Sequence, residues 1–299
     1  MTVREPRPTL RSVMNRPTIS ALIHTRNESR WIAGCVRSVL WADEVVVADM
    51  ASTDDTREIA TSLGARIVEV PMANPVDRVR NQALAACKGD WIIVVDADEI
   101  VPPTLAARLR ELAEDPSADA YALPRKNYLH DVWLEGQLWP DHQTRFFRKG
   151  VASWSGKVHE PAIINGRLVT LPADPALALE HPGACPEVHR FLARALAYGP
   201  LEAQRFEERG VTMDWLYLIR RPLGEFFGRY FGGGWRHGVP GLVMSLMQAN
   251  YQLVACIECW ELQRAKLPPV TPKALRRGVC IEMWRAALRT LQWTLFTRR

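Results

Sequence analysis

No glycine-rich phosphate loop follows the first apolar run of this chain. Neither G-x-G-x-x-G nor G-x-x-x-x-G-K-[ST] occurs there, which argues against a dinucleotide enzyme and against a P-loop NTPase. No apolar run is clean enough to span a bilayer. The longest, about 239–260, begins beside Pro240 and carries Gln248, Asn250, Gln252 and Glu258. Cysteine is sparse and scattered, with Cys35, Cys87, Cys185, Cys256, Cys259 and Cys280, so a disulfide scaffold is excluded and reduced thiols are expected. Cys256-x-x-Cys259 has no second pair and lies in helix-like text, LVACIECWEL. It reads as two helix-face cysteines rather than a metal or redox pair. No signal-peptide h-region follows the four arginines of MTVREPRPTLRSVMNRPT, so residues 1–17 are expected to form a disordered arm, not a secretory signal. Internal repeats and low-complexity tracts are also missing.

What is present is a chain of 299 residues, 47% apolar and 24% charged. That is enough apolar surface to offset the entropy of ordering one large domain, or one domain with an appendage. The net charge of +5 is unevenly placed. From Arg264 to Arg299 there are nine basic residues and one acid, so the rest of the chain is net −3. The basicity belongs to a terminal segment and gives no support to nucleic-acid binding by the core.

Continuous apolar runs alternate with helical text over the first hundred residues. ISALIH (19–24), EVVVAD (44–49), RIVEV (66–70) and WIIVVDAD (91–98) read as strands, with helices over 29–40, 54–63, 75–87 and 102–113. Strands apolar on both faces and separated by helices predict an α/β fold with a doubly wound, mostly parallel sheet. Ser52 to Asp55 offers helix N-caps, and Gly64 follows Leu63 where a C-terminal glycine is expected. From Ala120 polar and aromatic residues interleave, predicting a mixed second half. Beyond Cys185 the chain turns helical. The expected organisation is an arm at 1–17, an α/β catalytic domain at 18–184, a helical extension at 185–269 and a basic amphipathic helix at 270–299.

In open α/β sheets ligands bind outside the carboxyl ends of the strands. Polar groups gather at those ends: Thr25, Arg26, Asn27 and Glu28 after the first strand, Asp49 after the second, and Asp96-Ala97-Asp98-Glu99 after the fourth. Strand alternation would point Asp96 and Asp98 the same way. Two such carboxylates repel unless a cation lies between them. Mg2+ or Mn2+ with phosphate oxygens suits that set, and Arg78 and Arg80 are available to hold phosphates.

Three segments in order, ISALIHTRNESRWIAGCVRSVL, DEVVVADMASTDDTREIA and VRNQALAACKGDWIIVVDADE, resemble the family-2 glycosyltransferases of GT-A fold. They match that family's N-E, V-V-D-x-x-S-x-D-x-T and R-N-x-A…G-[DE]…D-x-D motifs, with Met50-Ala51 departing from the usual small polar residues after Asp49. PRKNYLHDVWLEGQLWPDHQTRFFRKG, KVHEPAIINGRL and the tail from Arg220 to Glu261 are similar to its lipopolysaccharide-core β-1,4-glucosyltransferase branch. The likeness covers about 19–261.

The resemblance implies a cytoplasmic, metal-dependent and inverting transfer of a sugar from a nucleotide-diphosphate donor, a UDP-hexose by expectation, to a hydroxyl acceptor on a cell-envelope or lipid-linked saccharide. Thr25, Asn27, Glu28 and Asp49 would hold the nucleoside. Arg80 would face the diphosphate or sugar, and Asp96 the ribose or the metal-bound donor. Asp98 would bind the divalent cation, with Asp96 and His159 as further candidate ligands. The acceptor needs a general base; Glu160 in KVHE and Asp141 in WPDHQ are the candidates, with Glu160 favoured. Arg145 and Arg148, flanking Phe146-Phe147, are candidate contacts for diphosphate or acceptor. The competing readings are a nucleotidyltransferase making a nucleotide sugar, and a non-catalytic membrane- or partner-binding protein that retains the fold.

The last helix has a different character. Ile281, Trp284, Leu288, Leu291 and Leu295 form one stripe, with Arg285 and Arg289 beside it. It suits either an anionic surface at the inner face of the cytoplasmic membrane or packing on the domain. The helical tail also offers a surface for pairing two chains into a homodimer.

Overall fold

The computed structural model of the chain describes residues 16–72, 77–115, 117–155, 162–185 and 188–296. Two compact units emerge. One comprises the described residues up to Lys126 together with Pro140–His181, the other Asn127–Trp139 together with those from Pro182 onward. Asn127–Trp139, expected within the α/β domain, thus groups with the helices.

The first unit opens with β1 (Ile19–Thr25), α1 (Ile32–Ser38), β2 (Glu44–Asp49), α2 (Thr56–Ser62), β3 (Arg66–Glu69), α3 (Asp77–Ala86), β4 (Trp91–Asp96) and α4 (Pro103–Glu114). There follow β5 (Ala120–Leu123), β6 (Arg125–Leu129), β7 (Val132–Trp133), the short α5 (Glu135–Leu138), β8 (Gln143–Arg148), β9 (Ala152–Ser153), β10 (Ile163–Ile164), β11 (Leu168–Thr170) and β12 (Leu179–Cys185). A seven-stranded sheet has the order β11-β5-β8-β4-β1-β2-β3. Its neighbours pair parallel except at β8, which is antiparallel to both β4 and β5. The α/β class is therefore as expected. Within this sheet the mixed character enters through β8, and two small sheets, β10-β9 and β12-β6-β7, add to it.

Both faces of the sheet are covered, which is why its strands read as unbroken apolar runs. On one face Ile19, Ala21, Ile23, Ile93 and Val95 pack against Ile32 and Val36 of α1 and Leu105 and Leu109 of α4. On the other, Leu22, Val46, Ala48, Ile92 and Val94 meet Val79 and Ala83 of α3. Trp91 stacks on Phe146 at 4.7 Å and on Tyr121 at 5.9 Å between ring centroids, tying β4, β8 and β5 together. Truncating Leu105 or Leu109, both fully buried, to Ala is expected to cost about 2–5 kcal/mol.

The Gly-Asp pair of the third motif has a structural task. A Cβ on Gly89 would lie 2.6 Å from the Ser20 backbone nitrogen, so only glycine permits that approach. Asp90 accepts from the Thr18 backbone N–H at 2.8 Å and from its hydroxyl at 2.7 Å, joining the start of β4 to the start of β1.

The second unit is built on α6 (Val188–Glu208), α7 (Trp215–Gly232), α8 (Gly238–Gln263) and α9 (Pro272–Phe296). Ala203, Phe206, Met213, Ala255, Cys256 and Cys259 form one core, and Leu129, Leu134, Met244 and Met247 another. A run of three glycines, Gly232 to Gly234, ends α7, where Gly233 takes φ +154°. A Cβ on Gly233 would meet Gly136 of α5 at 2.3 Å. Cys256 and Cys259 are buried free thiols, and burial pushes Cys256 up to about 11, as suits helix-face cysteines. Among the described residues no helix is long and apolar enough to cross a membrane.

Candidate active site

β1 lies between β2 and β4, and the chain leaves it for α1 on one face while α3 covers the other. The carboxyl ends of β1, β2 and β4 therefore border a crevice of the kind that takes ligands in open sheets.

The loops after β1 and β2 are stapled to each other. Asn27 adopts φ +54°, a left-handed conformation that asparagine tolerates. Its Oδ1 accepts from the Thr53 backbone N–H at 2.8 Å, and its own N–H donates to Ser52 Oγ at 3.0 Å. The Glu28 N–H donates to Thr56 Oγ1 at 2.9 Å, and Asp54 accepts from the Ser29 and Thr56 backbones, both at 3.1 Å. Asp54 thus links two loops, where a simple N-cap of α2 was expected. Buried Asp49, in register with Thr25, accepts from the Ser52 N–H at 3.0 Å and from Arg57 Nε at 2.6 Å. Burial opposes its charge, but the hydrogen bonds from Ser52 and Arg57 outweigh burial and hold its carboxyl below the usual range.

At β4 the expected alternation fails. The strand ends at Asp96, and a turn follows in which the Glu99 N–H donates to Asp96 O at 2.9 Å. The pleat that would set Asp96 and Asp98 on one side therefore stops at Asp96. Asp96 receives a guanidinium fork from Arg145 on β8, and Arg80 Nη2 of α3 stands 3.6 Å from its Oδ1. Asp98 turns instead to His181 on β12, with Nε2 3.4 Å from its Oδ2. The strand model missed this because pleat alternation holds only while extended backbone continues.

Around Asp96 lies a charge lattice. Arg145 Nη2 also donates to Glu99 at 3.0 Å, and Arg125 Nη1 donates to the same Glu99 oxygen at 2.7 Å. Arg125 Nε and Nη2 donate to Asp141 Oδ2 at 2.9 and 2.7 Å, and Gln143 donates to Asp141 Oδ1 at 2.7 Å. Burial would raise the Asp96 pKa, yet Arg145 and Arg80 outweigh it and hold the carboxyl well below the usual carboxylate range. Arg145 is buried, which works against its charge, but Asp96 and Glu99 keep it firmly protonated.

His24 is the register partner of Asp96 on β1. The ring is buried, and neither nitrogen has a hydrogen-bond partner among the described residues; the same holds for Thr25 Oγ1 and Arg145 Nε. Burial, reinforced by Arg80 and Arg145, lowers the His24 pKa to about 3, so the imidazole is neutral.

Thr25, Asn27, Glu28, Asp49, Arg80, Asp96 and Asp98 thus all lie at the strand ends or on α3 beside them. Arg145 is buried against Asp96 and Glu99, so it lies at the crevice. One predicted position, Arg148, needs correction. Arg148 lies at the far end of the sheet: β8 runs antiparallel, so Arg148 pairs in register with Trp91 at the start of β4 and covers its ring at 4.7 Å. His159 and Glu160 lie outside the described residues, as does the side chain of Arg78. Sequence reading missed Glu99 and Arg125 as members of the lattice and His181 as the neighbour of Asp98. The first was visible in DADE, but the other two are single residues on strands remote in sequence.

Comparison with known proteins agrees with this architecture. The family model for glycosyl transferase family 2 matches residues 20–162. An uncharacterized glycosyltransferase of Rickettsia bellii is 40% identical over 228 residues, covering 71% of this chain and 76% of the other. The chain belongs to glycosyltransferase family 2 and is a glycosyltransferase. Among individual proteins, it is similar to the lipopolysaccharide core biosynthesis glycosyltransferase LpsC of Rhizobium meliloti, at 25% identity over 86% of this chain and 97% of that one. It also matches the TPR repeat-containing protein Synpcc7942_0270 of Synechococcus elongatus, at 37% identity over 44% of this chain and only 31% of that protein's length. Among solved structures, the mannosyltransferase PcManGT from Pyrobaculum calidifontis, in complex with GDP-Man and Mn2+, aligns over 95% of this chain and 84% of its own. The TM-score is 0.50 and the identity 17%, which supports the GT-A fold.

Proposed function

We propose that the protein is an inverting, metal-dependent glycosyltransferase that moves a hexose from a UDP-linked donor to a hydroxyl of a cell-envelope or lipid-linked saccharide, acting at the inner face of the cytoplasmic membrane with residues 270–299 toward the lipid. The observation that carries this reading is the convergence of Asn27, Asp49, Arg80, Asp96 and Asp98 on one crevice at the carboxyl ends of β1, β2 and β4. Family membership favours glycosyl transfer over nucleotidyl transfer. The similarity to LpsC supports the choice of acceptor class, and the mannosyltransferase holding GDP-Man and Mn2+ supports a nucleotide-sugar donor with a divalent cation.

The donor set fits such a cation. Asp98 offers a hard carboxylate and His181 an imidazole nitrogen 3.4 Å from it, ligand types that suit Mn2+. No group of three or more such side chains that could hold a metal forms among the described residues, so the remaining positions suit donor phosphates and water. When bound, the cation supplies neutralisation of charge on the departing diphosphate. The loops pinned by Asn27 and Asp49 hold the nucleoside, with Thr25 and Glu28 beside it. Asp96, fixed by Arg145 and Arg80, orients the ribose or sugar, and Arg80 adds positive charge at the diphosphate. Glu160 takes the acceptor proton. Asp141, whose oxygens already accept from Arg125 and Gln143, suits an anchoring role better than that of base.

A thermal-shift screen of nucleotide sugars with and without Mn2+ tests this reading, since donor binding stabilises the native state. Stabilisation by a UDP-hexose that needs Mn2+, with slow hydrolysis of that donor, is expected. Release of pyrophosphate from a nucleoside triphosphate and a sugar phosphate would instead identify a nucleotidyltransferase.

A further inference from the structure

Among its described side chains, the C-terminal helix leaves the apolar stripe exposed. What α9 packs on α7 is the neighbouring strip. A Cβ on Gly278 would overlap the Trp215 ring at 1.8 Å, and Glu282, buried, accepts from Arg220 and Arg285 at 2.7 Å each. Beside that seam Ile281, Trp284 and Leu288 remain 40%, 65% and 36% exposed. With exposed Lys273 and Arg277 they stand at spacings of four, four, three and four, which is one helix face.

Between the helices runs a groove of about 520 Å3 floored by Trp215 and Leu216. Its walls bring four cations, Arg220, Lys273, Arg277 and Arg285, against one carboxylate, Glu282. That carboxylate holds Arg220 and Arg285 side by side, so two guanidinium groups are pre-positioned with one negative charge between them. Forked guanidinium groups match phosphate oxygens in geometry as well as charge. The adjoining Trp, Ile and Leu are the residue types that enter the headgroup–acyl boundary.

We propose that this groove, with the exposed face of α9, docks on an anionic phospholipid bilayer, the arginines engaging headgroup phosphates while Trp284 and Ile281 enter the interface. The proposal deepens the membrane contact given above for residues 270–299 and is independent of the donor site. Charge complementarity selects the occupant: a surplus of three positive charges lines the groove, and aromatic and aliphatic side chains flank it on the same face.

The test is flotation of the full chain with vesicles of phosphatidylcholine alone or of phosphatidylcholine mixed with phosphatidylglycerol. Binding is expected to the anionic vesicles, weakening as salt rises. Each basic residue at such a surface contributes roughly fivefold, so the double variant Lys273→Gln/Arg277→Gln should bind about 25-fold less. Trp284→Ala should bind more weakly at every salt concentration. These side chains are exposed, so an unchanged melting temperature should show that the fold persists. Equal binding to both vesicle types overturns the proposal. So does undiminished binding of the double variant, which would move the anion contact elsewhere, such as to the arginines of residues 1–17. Displacement by inorganic phosphate at constant ionic strength, without preference for anionic vesicles, overturns it in favour of a free anion. Donor-induced thermal shift on the same samples separates the two readings: vesicle binding without donor binding sinks the proposed donor alone, and the converse sinks the docking surface alone.

Discussion

Asp98 and His181 meet at 3.4 Å, joining the turn after β4 to a strand more than eighty residues further along the chain. Asp96, two residues earlier, is met by Arg145 and Arg80. The two carboxylates of D-x-D thus differ in surroundings, with guanidinium groups beside one and an imidazole beside the other.

That division predicts unequal responses to metal. Asp98→Asn and His181→Ala are expected to weaken Mn2+ binding, read by the electron paramagnetic resonance of free Mn2+ in titrations, and to lower turnover by about 100-fold or more. Asp96→Asn should bind Mn2+ within a few fold of the parent but lose affinity for the nucleotide sugar. Loss of Mn2+ binding in Asp96→Asn with retention in His181→Ala would reverse the assignment.

Arg145 neutralises two acids at once. Removing it as Arg145→Met leaves Asp96 and Glu99 short of a buried partner, with an expected cost of about 3 kcal/mol by urea unfolding. Arg145→Lys should rescue little, because an ammonium cannot present two parallel donors to one carboxylate and a third contact to another. Full stability in Arg145→Lys would show that charge alone, without the fork, suffices.

The fold was readable where local pattern and global burial coincide. β1, β2 and β4 are apolar on both faces and flanked by helix signals, and EVVVAD became β2 residue for residue. The rim residues followed from that placement. What stayed hidden depends on long-range pairing. The antiparallel insertion of β8 decides that Arg145 sits over Asp96 while Arg148 sits over Trp91, and nothing within RFFR distinguishes the two arginines. His181 was equally silent, since its meaning comes from where β12 lies. Asp98 misled for a simpler reason, because the strand stops two residues before it.

His24 makes stability depend on acid. Its folded pKa, about 3, lies below the ordinary value of 6.5, so the unfolded chain binds the proton more readily. The associated stability is fully present above pH 6.5 and is lost as pH falls from there toward 3. At pH 5 the loss should be about 2 kcal/mol. Urea midpoints between pH 7 and 4.5 should fall steeply for the parent and less for His24→Leu. Parallel profiles would mean that His24 is not the group taking up the proton.

Gly89→Ala should destabilise by about 1–3 kcal/mol, the usual effect of forcing atoms into a filled space. The added methyl would press on the backbone nitrogen and hydroxyl of Ser20, and that hydroxyl accepts from the Gly89 N–H at 2.8 Å and donates to Glu44 at 2.7 Å. Thermal melting reads the loss, and nucleotide-sugar affinity should survive, because Gly89 lies at the amino end of β4, away from the crevice. A drop in donor affinity without a change in melting temperature would contradict a purely structural role for this motif glycine.

The two candidate bases should separate cleanly by kinetics. Asp141 already accepts three bonds: Arg125 reaches one oxygen through Nε and Nη2, and Gln143 reaches the other. Asp141→Asn should therefore act first on stability, because Arg125 loses a paired anion, and any fall in kcat should track the fraction unfolded. Glu160→Gln should leave donor binding and melting temperature near those of the parent while lowering kcat by about 100-fold or more, the usual range for loss of a general base. Donor hydrolysis gives an internal control, because water replaces the acceptor but still has to lose a proton. Near-normal transfer by Glu160→Gln, with a stable Asp141→Asn that binds donor yet fails to turn over, would make Asp141 the base and Arg125 the group that orients it.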